Sequence, residues 1–227
     1  MAQLYYICVI LLSTHIGLVI SGSYHEECFQ NNTLYLEPSR IMRPSLLAEC
    51  LDVTTVNVTY KDMIKNFIPL IKTLLASDIR LKNFPTKFLK LFSHLKVADL
   101  SRNEIKRLAK NLDSCSPNLK KLNLAENSIT IPKRGFLTKS KSLEVLILSK
   151  NKLHKLNSQL FNALPFLKVL YLDGNFLITL KVHPFRKLHH LELLHLGSNQ
   201  LKRIPISALK KVSKRVRVIS KNNRIKF

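Results

Sequence analysis

The sequence predicts an α/β solenoid, in which a curved parallel sheet forms the concave side and short helical or irregular segments form the convex side. Leucine, isoleucine and asparagine return at the same positions every 24 residues from about residue 71 to the end of the 227-residue chain, without an insertion. A unit of this size is too small to bury its own apolar side, so neighbouring units must stack. About seven units are expected, starting near residues 71, 95, 119, 143, 167, 191 and 215.

The repeated unit has the pattern L-x-x-L-x-L-x-x-N-x-L, with Ile, Val or Ala in some of the leucine places. In the unit that starts at Leu143, for example, the ninth position is Asn151. Five strong units lie between two degraded ones. Ile79 replaces the asparagine of the first unit, and Arg215 and Ser220 replace leucines of the last. The missing asparagine at Ile79 is expected to mark an end of the regular array.

Strand geometry predicts which way each position faces. Successive side chains of a strand point to opposite faces, so we expect the fourth and sixth positions in the core and the third and fifth on the concave surface. The ninth-position asparagine has both donors and an acceptor for loop backbone groups of neighbouring turns. A second apolar pattern, six and three residues before the next unit, is expected to fill the convex side. Its members are Leu89, Phe92, Phe161, Leu164, Phe185, Leu188, Leu209 and Val212.

The repeat resembles that of extracellular leucine-rich-repeat proteins with 24-residue units, such as Toll-like receptor ectodomains and the secreted leucine-rich immune proteins of insects. The resemblance covers about residues 71–227. It implies a leucine-rich-repeat solenoid that binds another macromolecule, but one repeat type serves receptors, matrix proteins and adhesion proteins. The chain departs from these families at Phe227, where it stops inside its seventh unit without a cysteine cap. The exposed last turn would then be covered by a partner, be covered by self-association, or rely on its charge to keep the sheet edges of two copies apart.

The first 23 residues have the outline of a signal peptide. Residues 4–20 are nearly all apolar, and the small residues Ser21, Gly22 and Ser23 follow. We expect cleavage after Ser21 or Ser23. The alternative is an uncleaved membrane anchor, although the 17 residues of this run are few for a span. The mature chain is then expected to be secreted and extracellular, with no stable membrane span.

Residues 24–70 are predicted to form an N-terminal cap region. Cys28 and Cys50 flank its first part and are expected to pair in an oxidising compartment, in keeping with the cysteine-bearing caps of the resembled families. Cys115 then has no obvious partner in the chain. It is either a buried thiol that behaves as a small hydrophobe or the thiol of an intermolecular disulfide. Two glycosylation sequons, at Asn31 and Asn57, lie before the repeats.

The third and fifth positions of the middle units predict an apolar patch on the concave face, with Asp99 and Asn123 beside it. The predicted partner-binding residues are Val145, Ile147, Val169, Tyr171, Leu193 and His195. Exposed apolar side chains on strands about 5 Å apart would make a patch of a few hundred square ångströms, a size that marks binding sites. Tyr171 is the best single anchor. The alternative is that Val and Ile are present because they favour strands.

A second candidate surface is basic. Lys and Arg number 37 against 14 Asp and Glu, which gives a net charge of +23, and no acid follows Glu192. Such charge attracts sulfated glycans, microbial surface polymers, lipid headgroups or nucleic acid, with an affinity that falls as salt rises. The alternative is a solvated face that keeps the protein soluble. The predicted polyanion-binding residues are Lys202, Arg203, Lys210, Lys211, Lys214, Arg215 and Arg217.

No enzyme is predicted, because none of the short catalytic motifs occurs and no acid, base or metal-binding groups converge. The adjacent His189 and His190 are expected to be solvated, and no cofactor or metal is expected. Three functional hypotheses follow. The first is extracellular recognition of a protein partner, with host defence implied by the resemblance. The second is binding of a polyanion or a microbial surface, and the third is a role in extracellular matrix or adhesion.

Overall fold

The computed structural model describes residues 29–30, 33–35, 71–83, 89, 92–108, 117–130, 141–158 and 160–225, with side chains described from residue 71 onward. Over these residues nine strands form one sheet in chain order. The strands are β1 (Phe29–Gln30), β2 (Thr33–Tyr35), β3 (Thr73–Leu75), β4 (Val97–Asp99), β5 (Lys121–Asn123), β6 (Val145–Ile147), β7 (Val169–Tyr171), β8 (Leu193–His195) and β9 (Arg217–Ile219). β1 and β2 form an antiparallel pair, and each later strand is parallel to the one before it.

The strands of the repeats share one register. Val145 pairs with Val169 and Leu146 with Leu170, and the same offset of 24 residues relates every strand from β3 to β9 to the next. A constant offset places identical repeat positions side by side, so each position forms a row across the sheet. This arrangement confirms the predicted leucine-rich-repeat solenoid.

The leucine positions form one continuous core. In β3 to β8 the middle residue of each strand is buried, and the residues on either side of it are not. Leu146 and Leu148, at the fourth and sixth positions, are both fully buried. The predicted alternation of inward and outward positions is therefore confirmed. Burying a leucine side chain contributes about 2 kcal/mol, and each turn repeats that gain against the next.

The convex side is closed by the second apolar pattern. Seven of its eight predicted members are buried, and the rings of Phe161 and Phe185 in adjacent turns lie 5.8 Å apart. Within the described residues, Leu89 is helical, a 3-10 helix spans His183–Phe185, and an α-helix, α1, spans Ile206–Val212. The buried members are Leu89, Phe92, Phe161, Leu164, Phe185, Leu188 and Leu209.

The last turn departs from the predicted pattern by one residue. Val212 is only half-buried and Arg215 is exposed, whereas Ser213 and Val216 are buried in the corresponding places. Val216 N donates a hydrogen bond to Ser213 O at 3.3 Å, the type of bond found at this point in preceding turns. The prediction for Val212 was wrong because α1 carries the chain one residue further before it enters the core.

A column of asparagines joins neighbouring turns. Asn151 Oδ1 accepts a hydrogen bond from Ile129 N at 3.0 Å, and Asn151 Nδ2 donates to Leu124 O at 2.9 Å. These partners are backbone groups outside the strands, as the sequence predicts. At Ile79 the column ends, since that N–H donates to Asn103 instead, while the sheet continues into β2 and β1. The column consists of Asn103, Asn127, Asn151, Asn175, Asn199 and Asn223.

The residue before each asparagine place has a left-handed backbone. Its φ lies between 51° and 64° in all seven turns, although only one of these residues is a glycine. Non-glycine residues seldom adopt this conformation, so the turn geometry rather than the residue type imposes it. At Gly174, a Cβ would come 3.0 Å from Lys150 Cγ in the turn before. The seven residues are Asp78, Arg102, Glu126, Lys150, Gly174, Ser198 and Asn222.

Candidate interaction surface

The six residues predicted to bind a partner lie together on the concave face of β6, β7 and β8. The register aligns them in two rows. Strands in a sheet are about 4.8 Å apart, so members of one row touch their neighbours. The third-position row is Val145, Val169 and Leu193, and the fifth-position row is Ile147, Tyr171 and His195. We call these six residues the concave patch.

The concave patch is less exposed than the sequence suggested. All six side chains are half-buried, because neighbours in each row shield one another. Within the described residues, the more exposed large apolar side chains lie elsewhere, and they are Phe166, Phe176, Ile178 and Ile206. The sequence analysis singled out none of them; Phe176 and Ile178 occupy the tenth and twelfth positions of one repeat. The concave patch is thus a mainly apolar surface of half-buried side chains.

A polar group borders the concave patch at the fifth and seventh positions. Asp173 Oδ1 accepts a hydrogen bond from Ser149 Oγ at 2.7 Å and lies 2.8 Å from His195 Nδ1. The second contact is short but poorly directed for a hydrogen bond, so it is an ion pair only when the imidazole is protonated. The edge of the Tyr171 ring faces His195 at 5.7 Å between centroids. The cluster therefore orients Tyr171 and His195 within the patch.

Ser149, Asp173 and His195 do not form a catalytic triad. In a triad the histidine lies between the nucleophile and the carboxylate, whereas here the carboxylate of Asp173 lies between the other two. The sequence analysis missed Ser149 and Asp173, although the seventh position follows the fifth by two residues and could have been included by the same alternation. Their arrangement supports positioning of side chains rather than chemistry.

On the N-terminal side of the concave patch, the fifth-position residues Asp99 and Asn123 are polar and hydrogen-bonded to each other. Asp99 accepts hydrogen bonds from Ser101 N at 2.9 Å and Ser101 Oγ at 2.6 Å, and from Asn123 Nδ2 at 3.0 Å. Asn123 Oδ1 in turn accepts from Ala125 N at 3.0 Å. These groups satisfy one another, so this half of the concave face has little unmet hydrogen-bonding capacity to offer a partner.

Beside the third-position row, the second positions form a row of charges. Glu144 Oε2 lies 2.8 Å from Lys168 Nζ, and Glu144 Oε1 lies 3.2 Å from Lys120 Nζ. The hydrogen bonds from Lys168 and Lys120 lower the pKa of Glu144, and the bond to Glu144 raises the pKa of Lys168. Because these groups are largely exposed, water screens the pairs, and they give the patch a charged border more than they stabilise the fold.

The seven predicted polyanion-binding residues are all exposed, but they do not share one face. Within the described residues, none of them forms an ion pair. Their charges therefore surround the last turn instead of forming a single flat patch. They are distributed as Lys202 and Arg203 after β8, Lys210 and Lys211 in the last turn of α1, Lys214 and Arg215 between α1 and β9, and Arg217 in β9.

Several predicted features lie outside the described residues. These are the signal peptide at 1–23, the cysteines Cys28, Cys50 and Cys115, and the sequons at Asn31 and Asn57. Across the described part of the chain, no three His, Cys, Asp or Glu side chains are grouped to hold a metal ion. A search of those same residues finds no helix with the length and apolar character needed to cross a membrane.

Known proteins share this fold. A family profile described as leucine-rich repeat matches residues 117–177, 141–201 and 166–213, and no curated protein sequence matches the chain. The chain is similar in structure to one from the crystal structure of the LRIM1/APL1C complex, with a TM-score of 0.61 and 21% identity over 70% of this chain. It spans only 29% of that relative. The likeness establishes the leucine-rich-repeat fold, which typically serves as a non-enzymatic binding scaffold.

Proposed function

We propose that the chain is an extracellular recognition protein that binds a protein partner through the concave patch. The observation that carries the proposal is the alignment of six apolar or aromatic side chains in two rows across β6, β7 and β8. A partner that covers these rows removes the remaining apolar surface from water, which favours association. Two extended rows of half-buried side chains across three strands suit a protein surface, whereas a small molecule needs a concave pocket.

Tyr171 is the expected anchor of the interface. Its ring packs against the ring of His195, whose Nδ1 lies 2.8 Å from Asp173 Oδ1. Side chains that are ordered before binding lose less conformational entropy in the complex, and tyrosine is enriched among residues that dominate interface energies. The polar cluster therefore supports Tyr171 as the centre of recognition.

An extracellular location and a part in host defence are included in the proposal. The location rests on the signal-peptide outline of residues 1–23. Host defence rests on the resemblance to secreted leucine-rich immune proteins and Toll-like receptor ectodomains. A chain of similar fold occurs in the LRIM1/APL1C complex, which supports a protein as the kind of partner.

The first prediction tests the concave patch by changing Val169→Asp together with Tyr171→Ala. We expect capture of extracellular partners by the immobilised chain to be lost, because a charge and a cavity replace the apolar centre. The measurement is a quantitative pull-down from extracellular fluid, with and without reductant. Ile206→Asp is the matched control, since it adds the same charge at an exposed apolar residue of α1. Retained capture by the double variant, with an unchanged melting curve, would contradict the proposal.

A second candidate function, polyanion binding, is favoured by the exposed basic residues around the last turn. We expect the chain to elute from heparin only well above physiological salt, because displaced counterions oppose binding as salt rises. Lys210→Glu with Lys211→Glu should lower the eluting salt concentration, and Lys96→Glu with Lys106→Glu provides a control of equal charge on earlier turns. Elution at physiological salt, or equal shifts for both pairs, would count against a specific site. A matrix or adhesion role stays a prediction, and self-association through the open last turn or through Cys115 would be its sign.

A further inference from the structure

We propose a second docking surface on the edge of the solenoid that follows the asparagine column. It consists of Phe176, Ile178 and His154, which we call the edge patch, and its partner is an acidic protein segment with an apolar anchor. Phe176 and Ile178 are 42% and 45% exposed, whereas Leu177 between them is fully buried. The alternation directs two large apolar side chains out of the same turn. This surface is separate from the concave patch and does not depend on its function.

Neighbouring turns hold the edge patch in a regular array. Phe176 N donates to Leu153 O at 2.9 Å, and Gln200 N donates to Leu177 O at 2.9 Å. Segments 152–154, 176–178 and 200–202 therefore lie side by side. A partner would meet Phe176 and Ile178 in the middle turn, with a more polar turn on each side.

His154 extends the edge patch and fixes the Phe176 ring. The two rings are stacked with centroids 5.4 Å apart and planes 20° from parallel. His154 Nδ1 lies 2.9 Å from Lys152 O, and because a carbonyl can only accept, Nδ1 carries the proton that is donated. The ring is thus anchored to its own backbone, and the exposed aromatic surface is ordered before any partner arrives. Such preorganisation reduces the entropic cost of binding.

The surroundings of the edge patch are uniformly basic. Residues 152–157, 176–181 and 200–205 contain no Asp or Glu. Their basic side chains are all exposed, and within the described residues none is in an ion pair. Two acids lie toward the concave side. Glu126 is paired with Lys150 at 3.1 Å, and Asp173 accepts a hydrogen bond from Ser149 Oγ at 2.7 Å. The basic residues are Lys152, Lys155, Lys181, Lys202 and Arg203.

A groove beside the edge patch favours a protein segment over a lipid surface. The groove has a volume of about 400 Å³, and Lys155, Leu156, Thr179, Lys181 and Pro184 are among its lining residues. Lys155 and Thr179 directly follow His154 and Ile178, so the groove continues the patch. Its lining combines Leu156 and Pro184 with polar side chains and two lysines, which suits an apolar side chain flanked by carboxylates. Complementary charge would both orient such a segment and speed its association.

The test is selection of short random peptides, displayed in a library, on the full-length immobilised chain. We expect the selected peptides to be enriched in Asp and Glu around one aromatic or aliphatic residue, and their binding to weaken with salt. Phe176→Ser with Ile178→Ser should reduce affinity about tenfold or more, as for anchor residues at an interface. Lys152→Glu with Lys202→Glu should do the same through charge.

Matched controls separate this surface from the rest of the molecule. Phe166→Ser removes another exposed aromatic ring, which stacks on His190 at 5.6 Å on a different edge, and Lys211→Glu reverses a charge in α1. Neither should change peptide affinity. The proposal is overturned if no peptides are selected, if they lack acidic residues, or if they bind the Phe176/Ile178 variant as well as the native chain. It is also overturned if the edge variants change the binding of phosphatidylserine vesicles but change the binding of no peptide.

Discussion

The asparagine column and the concave rows share one backbone and one interval, but they differ in how much the residues vary. Along the column the same residue occurs six times, from Asn103 to Asn223. Along the fifth-position row, Asp99 and Asn123 are followed by Ile147, then Tyr171 and His195. Inside each turn, backbone groups outside the strands need the side-chain amide of an asparagine at the ninth position. On the surface no such requirement exists, so recognition can be built there without disturbing the fold.

The largest expected loss of folding stability comes from removing one asparagine of the column. Asn151→Ala leaves Ile129 N and Leu124 O buried without their partner, and each such group costs about 1 to 3 kcal/mol. We expect a loss of roughly 3 kcal/mol or more in the free energy of unfolding. Urea denaturation followed by circular dichroism measures it.

An asparagine on the concave surface supplies the control. Asn123→Ala removes hydrogen bonds to Asp99 and Ala125, but water can replace them at this half-buried position. Its expected cost is about 1 kcal/mol or less. Equal losses for Asn123→Ala and Asn151→Ala would show that the column has no special structural role.

A smaller loss in the free energy of unfolding is expected inside the last turn, where Ser213 takes the place that a leucine fills in earlier turns. Ser213 Oγ donates to Leu191 O at 2.6 Å, and Ser213 is only 5% exposed. Ser213→Ala should lower the free energy of unfolding by about 1 kcal/mol, because the carbonyl loses its partner. Ser207→Ala, at an exposed position of α1, should cause no loss, since alanine favours helices. A stabilised Ser213→Ala variant would mean that the bond contributes nothing.

The smallest effect is expected from the charged row beside the concave patch. Because Lys168 and Lys120 lower the pKa of Glu144 in the folded chain, its stabilising contribution is present above the ordinary value of 4.5 and is lost as pH falls through the lowered value. Native and Glu144→Gln chains should therefore differ in urea midpoint at about pH 7 and converge at about pH 3. A difference that persists unchanged at the lower pH would contradict this assignment.

The sequence predicts the inner part of this fold well because its constraints are local and repeated. Leu146 pairs with Leu170 of the next turn, and Asn151 and Asn175 make the same backbone contact one turn apart, so a pattern in the sequence becomes a row in space. The prediction for Val212 was wrong because α1 shifts the chain by one residue, and no repeated feature of the sequence indicates that shift. The pairing of β2 with β3 joins residues 40 apart, such as Leu34 and Leu74, outside the 24-residue interval.

The candidate site was predictable only in part. The repeat phase correctly grouped Val145, Val169 and Tyr171 on one face, since alternation in a strand is enough to place them. It could not predict that they are half-buried, because that depends on contacts between neighbouring side chains. Phe176 and Ile178 were missed because the tenth and twelfth positions have no required residue in the repeat pattern, so nothing in the period draws attention to them.

The hydrogen bonds of the asparagine column run in one direction along the solenoid. Asn199 satisfies Leu177 N and Leu172 O, and Asn223 satisfies Leu201 N and Leu196 O, so each amide serves the turn before its own. If the chain is pulled apart from its carboxyl-terminal side, every departing turn takes away the group that completes its predecessor. Detachment from the opposite side breaks the same bonds but exposes an asparagine side chain instead of backbone groups. The terminus that bears the load therefore decides which kind of group meets water first.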